Sequence, residues 1–124
     1  MVLDASALLA LMNAEPGAEV VATALVDAVI SAVNLSEVTA KLSDFGYAEH
    51  EAWTAAVDLV PTVVPFDTRL ARSAARLRRP TRALGLSFGD RACLALAEQL
   101  GLPALTADQT WRRLSLGIEV RLVR

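Results

Sequence analysis

The stretch Gly85-Leu86-Ser87-Phe88-Gly89-Asp90-Arg91-Ala92-Cys93-Leu94-Ala95-Leu96-Ala97-Glu98 decides how the chain folds. Ser87 stands where a helix N-cap belongs, and Asp90 follows three residues later, the spacing of a capping box. From Ala92 to Ala97 the segment is apolar on every side, so the helix is expected in the interior rather than at the surface. A carboxylate at the mouth of a buried helix faces whatever the neighbouring strands present at that end. Three further carboxylates, Asp4, Glu37 and Asp108, hold comparable positions in the other units of the chain.

Those units emerge outward from the central helix. On its N-terminal side, Val2-Leu3 predicts a short strand ending at Asp4, followed by helices over residues 6–12 and 18–27. The apolar run Val29-Ile30-Ser31-Ala32-Val33 reads as a strand covered on both faces. Asn34 is expected to cap a helix that carries Leu35, Val38, Leu42 and Phe45 at helical spacing and stops at Gly46. A helix over 48–59 and a strand over 62–64 follow. Asp67 then caps a helix ending before Pro80, with 80–86 left as a loop. On the C-terminal side, Gly101 and Pro103 turn the chain into a strand at 104–106. Asp108 opens a short helix containing Trp111, and the alternation over 118–123 predicts a half-exposed edge strand. Strands separated by helices at this spacing predict parallel pairing. The expected fold is an α/β three-layer sandwich, one domain over residues 1–124, with a mostly parallel five-stranded sheet. Ligands of such sheets bind outside the carboxyl ends of the strands.

Composition narrows the function classes. At 124 residues and 54% hydrophobic, the chain has ample material for a core. One cysteine, Cys93, excludes an internal disulfide and any zinc site built on paired cysteines. The start lacks a basic leader and no apolar run reaches the length of a membrane span, so a cytoplasmic, membrane-free setting is expected. The net charge of −2 conceals a division: a single lysine is the only cationic side chain in residues 1–66, whereas all the arginines lie beyond. The basic half suits contact with a polyanion, although a net-acidic protein should not grip nucleic acid broadly.

Each carboxylate has an ordinary explanation taken alone. Asp4 and Asp108 can cap the helices that follow them, Asn34 and Glu37 have the spacing of a capping box, and Asp90 suits the first turn of a helix dipole. The fold, however, should carry all four to one end of the sheet. At ~4 Å and an effective dielectric near 20, one like-charged pair costs roughly 4 kcal/mol, more than capping bonds of about 1 kcal/mol each offset. Either some of these acids hold protons or a cation sits among them. Oxygen ligands without His or Cys favour Mg²⁺ or Mn²⁺, ions suited to phosphodiester hydrolysis.

Four ordered motifs carry a resemblance: Val-Leu-Asp-Ala-Ser (2–6), Asn-Leu-Ser-Glu-Val (34–38), Leu-Ser-Phe-Gly-Asp-Arg-Ala-Cys-Leu-Ala-Leu-Ala (86–97) and Leu-Pro-Ala-Leu-Thr-Ala-Asp-Gln-Thr-Trp (102–111). In order and spacing the chain resembles PIN domains, specifically the VapC-type toxins of toxin–antitoxin pairs. The resemblance implies a metal-dependent endoribonuclease. It makes Asp4 and Asp90 the principal metal ligands, with Glu37 and Asp108 completing the catalytic pocket and Ser6 and Thr106 adding hydroxyls at its rim. It also implies Mg²⁺ or Mn²⁺ as cofactor, a VapB-type antitoxin as partner, RNA as substrate, and a homodimer. Phe88-Gly89 departs mildly from the family pattern, with no expected consequence for the site.

Two other functions stay open at this point: a receiver-like Mg²⁺-binding signalling domain with Asp67 as phosphoacceptor, and a non-catalytic binding module. The receiver pattern wants paired acids after the first strand and a lysine after the last, whereas Lys41 is the only lysine. Arg69, Arg72, Arg76 and Arg79 form one stripe opposite Leu70, Ala74 and Leu77, read either as a solvated face or as a contact for RNA phosphates or an acidic partner. Arg91, Arg112 and Arg113, near Asp90 and Asp108 in sequence, are candidates for positioning a phosphate. His50 is expected to be exposed, Cys93 to lie in the core, and Trp53 and Trp111 to be packing residues.

Overall fold

A computed structural model describes residues 1–124. Its elements, in chain order, are β1 (Val2–Leu3), α1 (Ala5–Met12), α2 (Ala18–Ala24), β2 (Val29–Ser31), α3 (Ala32–Asp44), α4 (Glu49–Val57) and β3 (Thr62–Val64). These are followed by α5 (Thr68–Arg76), α6 (Arg78–Thr81), α7 (Phe88–Leu100), β4 (Ala104–Thr106) and β5 (Val120–Leu122). Short 3₁₀ turns cover Leu25–Asp27, Arg82–Leu84 and Gln109–Arg113. No helix is long and apolar enough to cross a membrane.

The five strands form one sheet in the order β3-β2-β1-β4-β5, every pairing parallel, as expected for short strands joined through helices. β1 is central, which is why its two residues are both fully buried apolar side chains. The chain moves outward from β1 through β2 to β3, then returns to the other flank of β1 with β4. The order therefore reverses between β1 and β4, and a crevice outside the carboxyl ends is expected there.

Alternate strand residues feed two cores. Leu3, Ile30 and Leu105 pack with Leu8, Val21, Leu35, Val38 and Leu42 under α1 to α4. Val2 and Ala104 pack with Leu70, Ala74, Cys93, Leu94, Leu96 and Trp111 under α5 and α7. Residues 92–97 form the buried helix that their composition predicts: each is almost wholly inaccessible. Ser87 caps α7, and with Asp90 it closes a reciprocal capping box.

Several local expectations are corrected. The second strand ends at Ser31, where its pairing with Val64 ends, and the Ser31 hydroxyl accepts the Val33 N–H at 3.2 Å to cap α3. Asn34 is therefore inside the helix and buried, not its cap, and the Asn34–Glu37 capping box does not exist. The segment 80–86 is not a loop: α6 and a 3₁₀ turn occupy most of it. Pro80 lacks the N–H that would bond to the Arg76 carbonyl, so the break falls after Arg76. Pro80 itself is tolerated in the first turn of the next helix, where N–H groups have no intrahelical acceptor. Trp53 is exposed rather than packed, whereas Trp111 is buried as expected.

Candidate active site

Asp4 is carried to the carboxyl end of the central strand and is buried. It occupies the N-cap position of α1, yet its side chain makes no capping bond. Its Oδ2 instead accepts the Ser6 hydroxyl at 2.6 Å and the Thr106 hydroxyl at 2.9 Å. Each hydroxyl is held in turn by a backbone donor: Ala107 N–H to Ser6 Oγ at 3.0 Å, and Asp108 N–H to Thr106 Oγ1 at 3.1 Å. Both hydroxyl protons are thus directed at one carboxylate oxygen, so the sequence after β4 fixes the side chain that ends β1. Burial raises the Asp4 pKa, the two hydroxyl bonds pull it down in part, and the Asp90 charge pushes it further up.

Asp90 lies in the first turn of α7. Its Oδ2 accepts the Ser87 N–H at 2.9 Å, and its own N–H bonds to Ser87 Oγ at 3.1 Å. The capping reading of Asp90 is therefore correct and coexists with a place in the acidic group. Its pKa is raised by burial first, offset by the Ser87 bonds, and raised again by the charge of Asp108. Glu37 projects from α3 with no hydrogen-bond partner to lower its affinity for a proton. Burial, then the charges of Asp4 and Asp90, push it up to about 7. Asp108 caps the 3₁₀ turn through Oδ1, which accepts the Thr110 N–H at 2.9 Å.

The fold thus brings Asp4, Glu37, Asp90 and Asp108 to the carboxyl end of the sheet, close enough for their charges to interact. No three acidic side chains stand near enough to form a ready-made metal cage. The fit to a hard dication rests on the chemistry of the group. The donors are all oxygen, and no arginine or lysine forms an ion pair with any of the four, since the three salt bridges of the chain lie elsewhere. Negative charge held together by the fold and left uncompensated by it suits Mg²⁺ or Mn²⁺.

Two residues that shape this group escape a reading of the sequence by motif. A Cβ at position 89 would coincide with Glu37 Oε1, so the absence of a side chain at Gly89 makes room for the Glu37 carboxylate. The Phe88-Gly89 pair is consequential after all. Asn34, buried one turn before Glu37, donates from Nδ2 to the Gly89 carbonyl at 3.0 Å and ties α3 to the mouth of α7. The available signal is a glycine in the first turn of a helix, where any residue with a side chain other than proline favours the helix more.

Of the arginines near the acids in sequence, Arg91 is turned away. Its Nη1 donates to the Ala74 carbonyl in α5 at 2.9 Å, and its guanidinium lies 5.7 Å from the centre of the Phe88 ring. It staples α7 to α5 rather than facing a phosphate. Arg112 and Arg113 are exposed on the turn after Asp108. His50 is exposed and Cys93 is fully buried, as expected.

Comparison with known proteins agrees with this architecture. The PIN domain family profile matches residues 1–116, and the chain belongs to that family. Among solved structures, VapBC2 from Rickettsia felis, bound to a DNA fragment from its promoter, gives a TM-score of 0.72. It shares 15% identity, over 98% of this chain and 96% of that one. DNA-bound VapBC from Salmonella typhimurium gives 0.71 at 19% identity, over 99% and 97%. VapBC-5 from Mycobacterium tuberculosis gives 0.61 at 23%, over 99% and 96%. No curated protein matches the chain in sequence.

Proposed function

We propose that this PIN domain is a VapC-type toxin, a metal-dependent endoribonuclease that hydrolyses RNA phosphodiester bonds. The observation that carries the reading is the convergence of Asp4, Glu37 and Asp90. All three hold their protons more tightly than free carboxyls because of burial and neighbouring negative charge, and no cation of the chain relieves them. Asp4 and Asp90 would hold Mg²⁺ or Mn²⁺, with Glu37 and Asp108 completing the pocket. Such an ion supplies charge neutralisation on the phosphate and a more acidic attacking water.

The chain's own residues supply the rest. Ser6 and Thr106 hold Asp4 in one orientation. Glu37, with a pKa near neutrality, is matched to taking a proton from the attacking water. Asp108 keeps the Thr106 hydroxyl directed at Asp4 through its backbone N–H. The solved structures described as VapBC, to which the chain is similar, support a VapB-type antitoxin as partner. A homodimer working in the cytoplasm completes the reading and rests on the family resemblance alone.

Purified chain incubated with end-labelled RNA tests the reading. Internal cleavage with Mg²⁺ or Mn²⁺, absent in chelator and absent for Asp90→Asn, is the expected result. Cleavage that persists in chelator, or that Asp90→Asn leaves unchanged, overturns it. The receiver-like alternative is disfavoured by Asp67, whose Oδ1 already accepts the Leu70 N–H at 3.0 Å as the cap of α5. Lys41, the only lysine, sits in α3 against Phe45.

A further inference from the structure

We propose that the outer face of α5 is a track for the RNA backbone leaving the acidic pocket, with Arg69, Arg72 and Arg76 pairing with its phosphates. The proposal rests on the nuclease reading above. From Thr68 to Leu86 the chain holds six arginines and no acid. The buried side of α5, Leu70 and Ala74, faces α7, and this turns Arg69, Arg72 and Arg76 outward. Between the two helices lies a cleft of about 550 Å³ lined by Arg69, Arg72, Ser73, Arg76, Glu98 and Gln99, without one apolar side chain. A cleft of that lining offers nothing to a hydrophobic peptide. It offers forked donors that match phosphate oxygens.

Internal compensation is slight. Glu98 is the only acid in the cleft, and it approaches Arg76 at 3.8 Å with both side chains largely exposed, a weak pair. Arg69 and Arg72 take part in none of the chain's ion pairs. Their charge is available to an external anion.

Continuity with the pocket selects RNA over an acidic protein. Phe88, two residues before Asp90, is half exposed and meets Phe66 edge-on at 5.5 Å, and Phe66 directly precedes the cap of α5. Arg91 lies over Phe88 and bonds to α5. A strand leaving the acids therefore crosses an exposed ring and then meets arginines, the combination of stacking face and cationic groove that binds unpaired nucleic acid. Glu98 is eight residues beyond Asp90, roughly 12 Å along α7, so the track begins within one short strand's reach.

The test is a salt titration of binding, using Asp90→Asn protein so that nothing is cut, and a labelled unstructured RNA of mixed sequence. Circular dichroism of each variant checks the fold. Arg69→Gln/Arg72→Gln/Arg76→Gln is expected to weaken binding at low salt by roughly tenfold or more. It should also flatten the slope of log K against log[salt] by about 0.7 for each phosphate that is no longer neutralised. Arg121→Gln, a charge of the same sign on the β5 edge, should leave the slope unchanged. An unchanged slope in the triple variant, with RNA still bound and cut by the parent, overturns the track and leaves the nuclease reading standing. A parent chain that cuts no RNA in Mg²⁺ or Mn²⁺ overturns that reading and the track with it. Polyglutamate serves as the acidic-protein probe. If the triple change abolishes its binding and spares RNA, the face belongs to a protein and the proposal fails.

Discussion

Glu37 of α3 lays its carboxylate where a Cβ on Gly89 of α7 would stand. One acid of the pocket therefore depends on a missing side chain in the helix that carries another. Gly89→Ala is expected to raise helix propensity by up to ~1 kcal/mol while evicting the Glu37 carboxylate from its place. The melting temperature should hold or rise while RNA cleavage falls by at least about tenfold, the scale of a displaced general base. Equal initial rates for the two proteins would show that Glu37 has no fixed position to lose.

The three raised pKa values set a pH dependence for the metal-free protein. A carboxyl whose folded pKa lies above its unfolded value favours the protonated form in the fold. Its contribution is fully present below the unfolded pKa and is lost as pH rises through the folded one. For Glu37 the window runs from the ordinary value of 4.5 to about 7. In chelator, thermal melts should therefore show lower stability at pH 8 than at pH 5. Added Mg²⁺ should restore more at pH 8 than at pH 5, because binding requires the deprotonated acids. A metal-free stability that rises steadily over this range contradicts the assignment.

Asp4→Asn keeps the shape of the side chain and its capacity to accept from Ser6 and Thr106, but removes a buried charge. Cleavage should be lost, and the metal-free protein should melt at the same temperature or higher. The stabilisation given to the parent by Mn²⁺ should shrink, read by calorimetry. Destabilisation by several degrees would mean that the Asp4 charge is needed by the fold itself.

Thr106→Val is nearly isosteric and removes a hydroxyl that both donates to Asp4 and accepts from Asp108 N–H. A buried polar group left unpaired costs about 1–3 kcal/mol, so unfolding by urea should shift by that amount. With one fewer bond to its ionised form, Asp4 should also titrate higher, moving the acidic limb of the rate profile upward. Thr106→Ser should recover both. A rate profile identical to the parent's would detach Thr106 from Asp4.

The sheet is legible in the sequence because three of its strands, β1, β3 and β4, are short runs bounded by strong signals: Asp4 after Val2-Leu3, Pro61 before Thr62, and Gly101 with Pro103 before Ala104. Three of the acids are legible because each sits one or two positions beyond a strand, as Asp4 and Asp108 do, or in the first turn of a helix, as Asp90 does; Glu37 lies in the second turn of α3. What stays hidden depends on competition between neighbours. Ser31 and Asn34 both suit a helix cap, and the choice is made by where pairing with β3 ends. Arg91 stands beside Asp90 in sequence, but consecutive helix positions do not share a face, and its arm goes to α5. Gly89 carries no chemistry of its own, so only the position of Glu37 reveals its role.

Glu37 hangs from the helices on one side of the sheet and Asp90 from those on the other, fastened by the Asn34 bond to Gly89. The spacing of the acids is thus a gauge of how squarely the two flanks are seated. A wedge driven between α3 and α7 would silence the centre without ever touching a carboxylate.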